Sequence, residues 1–258
     1  MIAVIDIGTN TFHLIIAQKM ENGIELIFKK TIPVKLGEDS FPDGKIKPEA
    51  YIRAMDAFAC FREIIDRYAI KNIKAVATES LRKAGDRGVF MEEVKVRFKI
   101  TIQVISGEVE AELIALGVIK LLGINECVLI MDIGGGSTEF ILADTTGVKW
   151  KASYPLGSTV LKNKFHKDDP MPKSEINALD NYVEGYLESL AIQAKDLKPK
   201  MLVGTSGAFD TLSDLIYQDK GDYWSLKNLE ISKILELVKR LIEMNNQERL
   251  SLPGMTEF

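Results

Sequence analysis

Apolar and polar residues recur with two different periods along this chain, and the switches between them mark its elements. Residues 2–17 read IAVIDIGTNTFHLIIA, and residues 128–143 read VLIMDIGGGSTEFILA. Each is an apolar run, an Asp, a Gly-containing polar turn and a second apolar run, the grammar of a strand–turn–strand unit. Asp6 aligns with Asp132, Gly8 with Gly134 and Ala17 with Ala143, so the offset is 126 throughout (132 − 6). An ungapped match over both flanks points to duplication of one supersecondary unit.

Elsewhere the pattern predicts strands near 24–32, 73–77, 100–105, 147–154 and 201–203. Helices are predicted over 48–68, 87–98, 107–122, 173–195, from 207 onward, and over 231–245. In the first of these, Tyr51, Met55, Phe58, Phe61 and Ile65 recur at three- and four-residue steps, and Pro48 suits the first turn. Over 107–122, Leu113, Leu116, Ile119 and Leu122 are expected to line one side. The stretch 219–229 reads as a surface loop. Alternating strands and helices imply an α/β fold with partly parallel sheets. The repeat offset puts a boundary near 120, giving an N-terminal lobe over 1–120 and a C-terminal lobe over 121–258.

Composition narrows the function classes. The 258 residues, 46% hydrophobic, can bury the core of one large or two modest domains. A formal net charge of −4 and a pI near 5.5 exclude a globally basic surface, so no nucleic-acid partner is expected. A polyanionic ligand would need positive charge gathered locally. Lys149, Lys151, Lys162, Lys164 and Lys167 are either such a track or a solvated surface. Cys60 and Cys127 are expected to be reduced, buried thiols. No Cys/His cluster suggests zinc. No apolar run reaches the ~18 residues of a membrane span, and no basic leader precedes the first strand. No membrane partner and a cytoplasmic location are therefore expected.

The candidate chemistry lies in the two Asp-Gly turns. An Asp at the end of a buried strand brings its carboxylate to the sheet edge, and Gly supplies positive φ and close approach to an anion. Thr9, Asn10 and Thr11 follow in one turn; Gly135, Gly136, Ser137 and Thr138 follow in the other. Successive N–H groups in such turns form an anion nest, and two nests facing across a cleft would hold a phosphate chain. Two acids beside phosphates need a hard cation, so Asp6 and Asp132 imply Mg²⁺. The alternative is a pair of plain hairpin turns. Glu108, Glu110 and Glu112 crowd the start of one predicted helix, and residue physics alone does not choose among them.

The paired loops resemble the phosphate loops of the actin, sugar-kinase and chaperone superfamily. Within it the chain resembles the exopolyphosphatase and guanosine pentaphosphate phosphohydrolase family. The matching segments are DIGTNTFHLIIA (6–17), ATESLRKA (77–84), VISGEVEAELIALGV (104–118), DIGGGSTEF (132–140) and GTSGAFDTLS (204–213), and Pro155-Leu156-Gly157-Ser158 fits a family turn.

The resemblance implies a two-lobed actin-like ATPase (ribonuclease H-like) α/β fold with duplicated phosphate loops. It also implies Mg-dependent release of terminal orthophosphate from inorganic polyphosphate, or hydrolysis of a guanosine polyphosphate. Asp6 and Asp132 would sit around the metal; Thr9, Asn10, Gly134, Gly135, Ser137 and Thr138 would cradle phosphates. Gly204, Ser206 and Gly207 would complete the binding surface, on the nucleoside side in the wider superfamily. Arg82 would grip terminal phosphates, Glu110 would be the base, and Glu139 would orient water or metal. His13 stands where Glu139 stands in the other repeat. Family members continue past the point corresponding to Phe258, so the second lobe is expected to lean on a partner, such as a second copy in a homodimer. A small-molecule kinase of the wider superfamily is a further alternative, but such enzymes present an Asp to the acceptor hydroxyl and the sequence offers no equally placed candidate. A non-catalytic nucleotide or polyphosphate sensor is the alternative of a different class.

Overall fold

A computed structural model describes residues 1–21, 23–37, 44–218 and 226–255. Most of the expected loop at 219–229, and the final residues 256–258, lie outside the described residues. The chain divides into two compact units, Met1–Glu110 and Ala111–Phe258.

The first unit opens with a meander of β1 (Ile2–Ile7), β2 (Thr11–Met20) and β3 (Gly23–Pro33). Then come α1 (Pro48–Arg67), β4 (Ile73–Ala77), α2 (Glu79–Lys83), α3 (Arg87–Phe98), β5 (Ile102–Val104) and the first turn of α4 (Gly107–Leu122). The sheet order is β3-β2-β1-β4-β5, antiparallel across the meander and parallel from β1 to β4 to β5. Alternation decides the faces: Ala3, Ile5 and Ile7 are fully buried, whereas Asp6 is exposed at the strand end. Phe58 of α1 meets Phe12, Phe90 and Phe98 at ring separations of 5.5, 6.1 and 6.0 Å. This aromatic centre explains the predicted α1 periodicity, although Tyr51 is only half-buried and hydrogen-bonds Glu93.

The second unit repeats the plan. Its meander is β6 (Val128–Ile133), β7 (Thr138–Asp144) and β8 (Gly147–Tyr154), followed by α5 (Ser158–Phe165), α6 (Lys173–Leu197), β9 (Met201–Thr205), α7 (Ser206–Tyr217), α8 (Ile231–Glu243) and α9 (Asn246–Leu250). The order β8-β7-β6-β9 has β9 parallel to β6, as β4 is to β1. Asp6 pairs with His13 and Asp132 with Glu139, so the duplication holds in strand register, with an offset of 126 at both places (132 − 6 and 139 − 13).

Some expectations change. Helix α4 packs Ala111, Ala115 and Val118 against Val128, Ile130, Ile141 and Ala143, while Leu113 and Leu116 are half exposed. The helix is apolar on most sides, and its alanine face permits the closer approach to the sheet. Helices α2, α5 and α9 have 5, 8 and 5 residues, too short to show a period in the sequence. Cys60 and Cys127 are free but half-buried rather than buried, Cys127 because it stands just outside β6 at the sheet margin. Among the described residues no helix is long and apolar enough to cross a membrane.

Phe58→Ala is expected to cost about 3–5 kcal/mol, as truncation of a fully buried aromatic does. Val96→Ala, at an exposed position of α3, is expected to stay within about 0.5 kcal/mol. Urea denaturation of both variants followed by near-UV circular dichroism checks this.

Candidate active site

The two turns after β1 and β6 close with the same bond. The Gly8 N–H donates to the Thr11 carbonyl at 3.1 Å, and the Gly134 N–H to the Ser137 carbonyl at 3.0 Å. Neither loop uses glycine for positive φ as the sequence suggested. Space is the reason instead. A Cβ on Gly8 would lie 2.8 Å from the Thr11 oxygen, and one on Gly134 would lie 3.1 Å from the Ser137 oxygen.

Each loop is backed by the segment that leaves its third strand. The Thr9 carbonyl accepts from Gly37, and the Asn10 carbonyl from Val34 and Lys35, at 3.0, 2.9 and 2.7 Å. In the second unit the Gly134 and Gly135 carbonyls accept from Ser158 and Thr159, both at 2.9 Å. In a planar trans peptide the next N–H points opposite to the C=O. The N–H groups of Asn10 and Thr11, and of Gly135 and Gly136, are therefore turned away from the backing segments. Gly157 makes the second contact possible, since a Cβ there would come within 2.4 Å of Gly135 and Gly136 backbone. Thr9, Ser137 and Thr138 are buried, and the Thr138 hydroxyl is given to the Leu156 carbonyl at 2.9 Å.

Three adjacent parallel strands of the first unit end on functional groups, at the carboxyl ends where α/β sheets bind ligands. Strand β1 leads to Asp6 and the first loop, β4 to α2 with Arg82, and β5 to α4 with Glu110. Arg82 Nε donates to Glu79 at 2.9 Å, its Nη2 also binds Glu79, and its Nη1 donates to the Ile105 carbonyl at 2.6 Å. The same Nη1 lies 3.8 Å from the buried Glu110 Oε2. Burial pushes the Glu79 carboxyl up, but hydrogen bonds and charge from Lys83 and Arg82 outweigh it and hold the group below its ordinary value. Ser106 caps α4 through the Val109 N–H at 3.3 Å. Of the other two glutamates, Glu108 is exposed and Glu112 pairs with Lys151.

In the second unit the Asp132 carboxylate accepts from Thr205 Oγ1 and Ser206 Oγ, each at 2.7 Å. Glu139, opposite in register, is 1% exposed and accepts from Ser153 Oγ at 2.6 Å. His13, its counterpart, is half-buried, with its ring nitrogens 2.8 Å from Thr11 Oγ1 and 3.0 Å from Thr31 Oγ1. Burial, then the charge of Lys29, lowers the His13 pKa, so the ring is neutral at pH 7. Gly204 has a packing reason, because a Cβ would strike the Phe209 ring at 2.1 Å. Gly207 meets no such constraint. Lys149 pairs with Asp144, and Lys164 lies over the Tyr182 ring at 3.6 Å.

Sequence reasoning overlooked Glu79, Thr205 and Ser153. The three-residue step from Glu79 to Arg82 on a helical turn was the available signal for the first. The other two become visible only through strand register.

The donor set suits a magnesium ion that draws most of its ligands from phosphate and water. Among the described residues no three His, Cys, Asp or Glu gather into a protein cage. Two acids stand opposite in register at Asp132 and Glu139, an unfavourable pairing that a cation would offset. Asp132 is also oriented by hydrogen-bond donors, as ligating carboxylates usually are.

The pattern of the Ppx/GppA phosphatase family matches residues 15–257. A putative exopolyphosphatase of Haemophilus influenzae is 27% identical over 263 residues, covering 98% of this chain and 81% of that protein. A guanosine-5'-triphosphate,3'-diphosphate pyrophosphatase of Aliivibrio fischeri is 27% identical over 256 residues, covering 99% of this chain and 51% of its own. The chain thus spans about half the length of that curated relative. The crystal structure of an exopolyphosphatase from Cytophaga hutchinsonii superposes with a TM-score of 0.93 at 34% identity, over 99% of this chain and 84% of that one. The α/β fold with duplicated strand–turn–strand loops expected from the sequence is the one observed, and it is shared with that exopolyphosphatase.

Gly157→Ala is expected to push the second loop off its backing segment. Overpacking of this kind costs roughly 1–3 kcal/mol. Hydrogen exchange at Ser158 and Thr159, whose amides hold the loop carbonyls, should speed up relative to amides of α1.

Proposed function

We propose, for a chain that belongs to the Ppx/GppA phosphatase family, Mg-dependent hydrolytic release of terminal orthophosphate from inorganic polyphosphate. The observation that carries this reading is the juxtaposition of a guanidinium and a carboxylate, Arg82 and Glu110, beside a phosphate-type turn at the carboxyl ends of β1, β4 and β5. Phosphoryl transfer leaves little covalent chemistry to the protein, so placement and charge do most of the work.

In this reading the outward N–H groups of each loop bind phosphoryl oxygens. Arg82 holds oxygens of the phosphate under attack with the planar donor fork that suits them. Glu110 orients a water for in-line attack and accepts its proton as the P–O bond forms. The bridging P–O bond breaks, and its electron pair leaves with the shortened chain. Asp6 in the first unit and Asp132 in the second are the carboxylates that would serve a magnesium ion, Asp132 with Glu139 opposite it in register; when bound, the ion would neutralise phosphoryl charge. Ser137 and Thr138 support their loop from its buried side. Support for Glu110 over its neighbours comes from its position beside Arg82, while Glu112 is engaged by Lys151.

A guanosine polyphosphate is the second reading, favoured by the Aliivibrio fischeri relative that covers 99% of this chain. The packing of Phe209 onto Gly204 argues for the simpler substrate, because the ring fills space at a turn expected to meet a nucleoside.

Glu110→Gln is expected to lower phosphate release by about 10²–10⁴-fold, the usual contribution of a positioned base, with the unfolding midpoint nearly unchanged. Wild-type turnover in this variant would remove Glu110 from the role. Parallel assays on long-chain polyphosphate and on guanosine pentaphosphate, with and without Mg²⁺, distinguish the two substrates. Faster release from the nucleotide would favour the second reading.

A further inference from the structure

Resting on the assignment of Asp132 to the metal, we propose that Thr205 and Ser206 are positioning residues that fix its carboxylate in one orientation for a divalent cation. Each hydroxyl takes a different carboxylate oxygen, Thr205 Oγ1 on Oδ2 and Ser206 Oγ on Oδ1, both at 2.7 Å. An ionised carboxylate offers about four lone-pair directions. Two are used by these hydroxyls, and the side chain can no longer rotate without losing both bonds.

Two further observations separate this arrangement from chance. Ser206 has φ of +73°, in the left-handed region that favours glycine. Gly207, which could adopt it freely, stands one place later with a φ outside that region. The chain thus places a serine where the backbone calls for glycine, and its side chain reaches Asp132. Such an outlier is a reason to look for function. The second observation is an asymmetry between the repeats. The parallel strand neighbour of Asp6 is Val76, whereas that of Asp132 is Thr205. The duplicated hairpins therefore share their acids, and the neighbouring strand supplies a hydroxyl in register only to the second.

This assigns Ser206 a different task from direct substrate contact. Its Oγ faces the carboxylate, and its substitution should act on the cation before it acts on phosphate.

The test is Mn²⁺ binding to the full chain, followed by electron paramagnetic resonance of the free ion, together with melting temperature. Ser206→Gly should weaken Mn²⁺ binding roughly 10–100-fold, the usual effect of removing a hydrogen bond to a ligating group. Its melting temperature should hold or rise, because glycine accepts the backbone conformation. Thr205→Val should weaken Mn²⁺ binding in the same range, and Thr205→Ser should restore it. Asp132→Asn serves as reference and should abolish the site. If Asp132→Asn loses Mn²⁺ while Ser206→Gly and Thr205→Val bind it as wild type does, the positioning role is overturned and the metal assignment stands. If Asp132→Asn binds Mn²⁺ unchanged, the metal assignment fails and this proposal fails with it. A joint fall in melting temperature and affinity in Ser206→Gly would make the hydroxyl merely structural and also overturn the proposal.

Discussion

A peptide group cannot turn its carbonyl and its following N–H in the same direction, and both turns of this protein rest on that constraint. In each unit the segment after the third strand captures loop carbonyls through its own N–H groups. The remaining side of each loop is then rich in donors by geometry, before any side chain is considered. Buried backbone groups must find partners, so the captured carbonyls also hold the turn closed. Gly157 and Gly8 are required for lack of room, and replacing either disturbs backbone rather than a flexible side chain.

On this common frame the two units carry different chemistry. The first ends its parallel strands on a guanidinium tied to one glutamate and close to another. The second ends them on a carboxylate tied to two hydroxyls. At the position opposite the strand-end acid, His13 stands in one repeat and Glu139 in the other. The neutral, half-buried imidazole adds no charge beside Asp6, whereas Glu139 places a second acid beside Asp132. The repeats have diverged in charge while their register has stayed fixed.

Much of this was legible in the sequence. The ungapped match between 2–17 and 128–143 became identical strand pairing in two sheets. The aromatic spacing on α1 became the packed centre of the first unit. What could not be read has physical reasons. Helix α4 is apolar nearly all round, so periodicity did not show that Ala111 and Ala115, rather than Leu113 and Leu116, face the sheet. Helices of five residues leave no period to detect. The roles of Glu79 and Thr205 arise from where neighbouring elements end, and spacing along one strand or helix carries no information about that.

The ties on Arg82 set a limit on what it can grasp. A guanidinium has five N–H donors, and here two go to Glu79 and one to the Ile105 carbonyl. Two N–H groups are left, one on each Nη. If Arg82 grips phosphate as proposed, an arginine so anchored would clasp one tetrahedral group and let go by breaking two contacts, while its plane stays fixed. On the polyphosphate reading, successive turnovers would then meet the same unmoved hand, with the polymer advancing past it rather than the side chain swinging to follow.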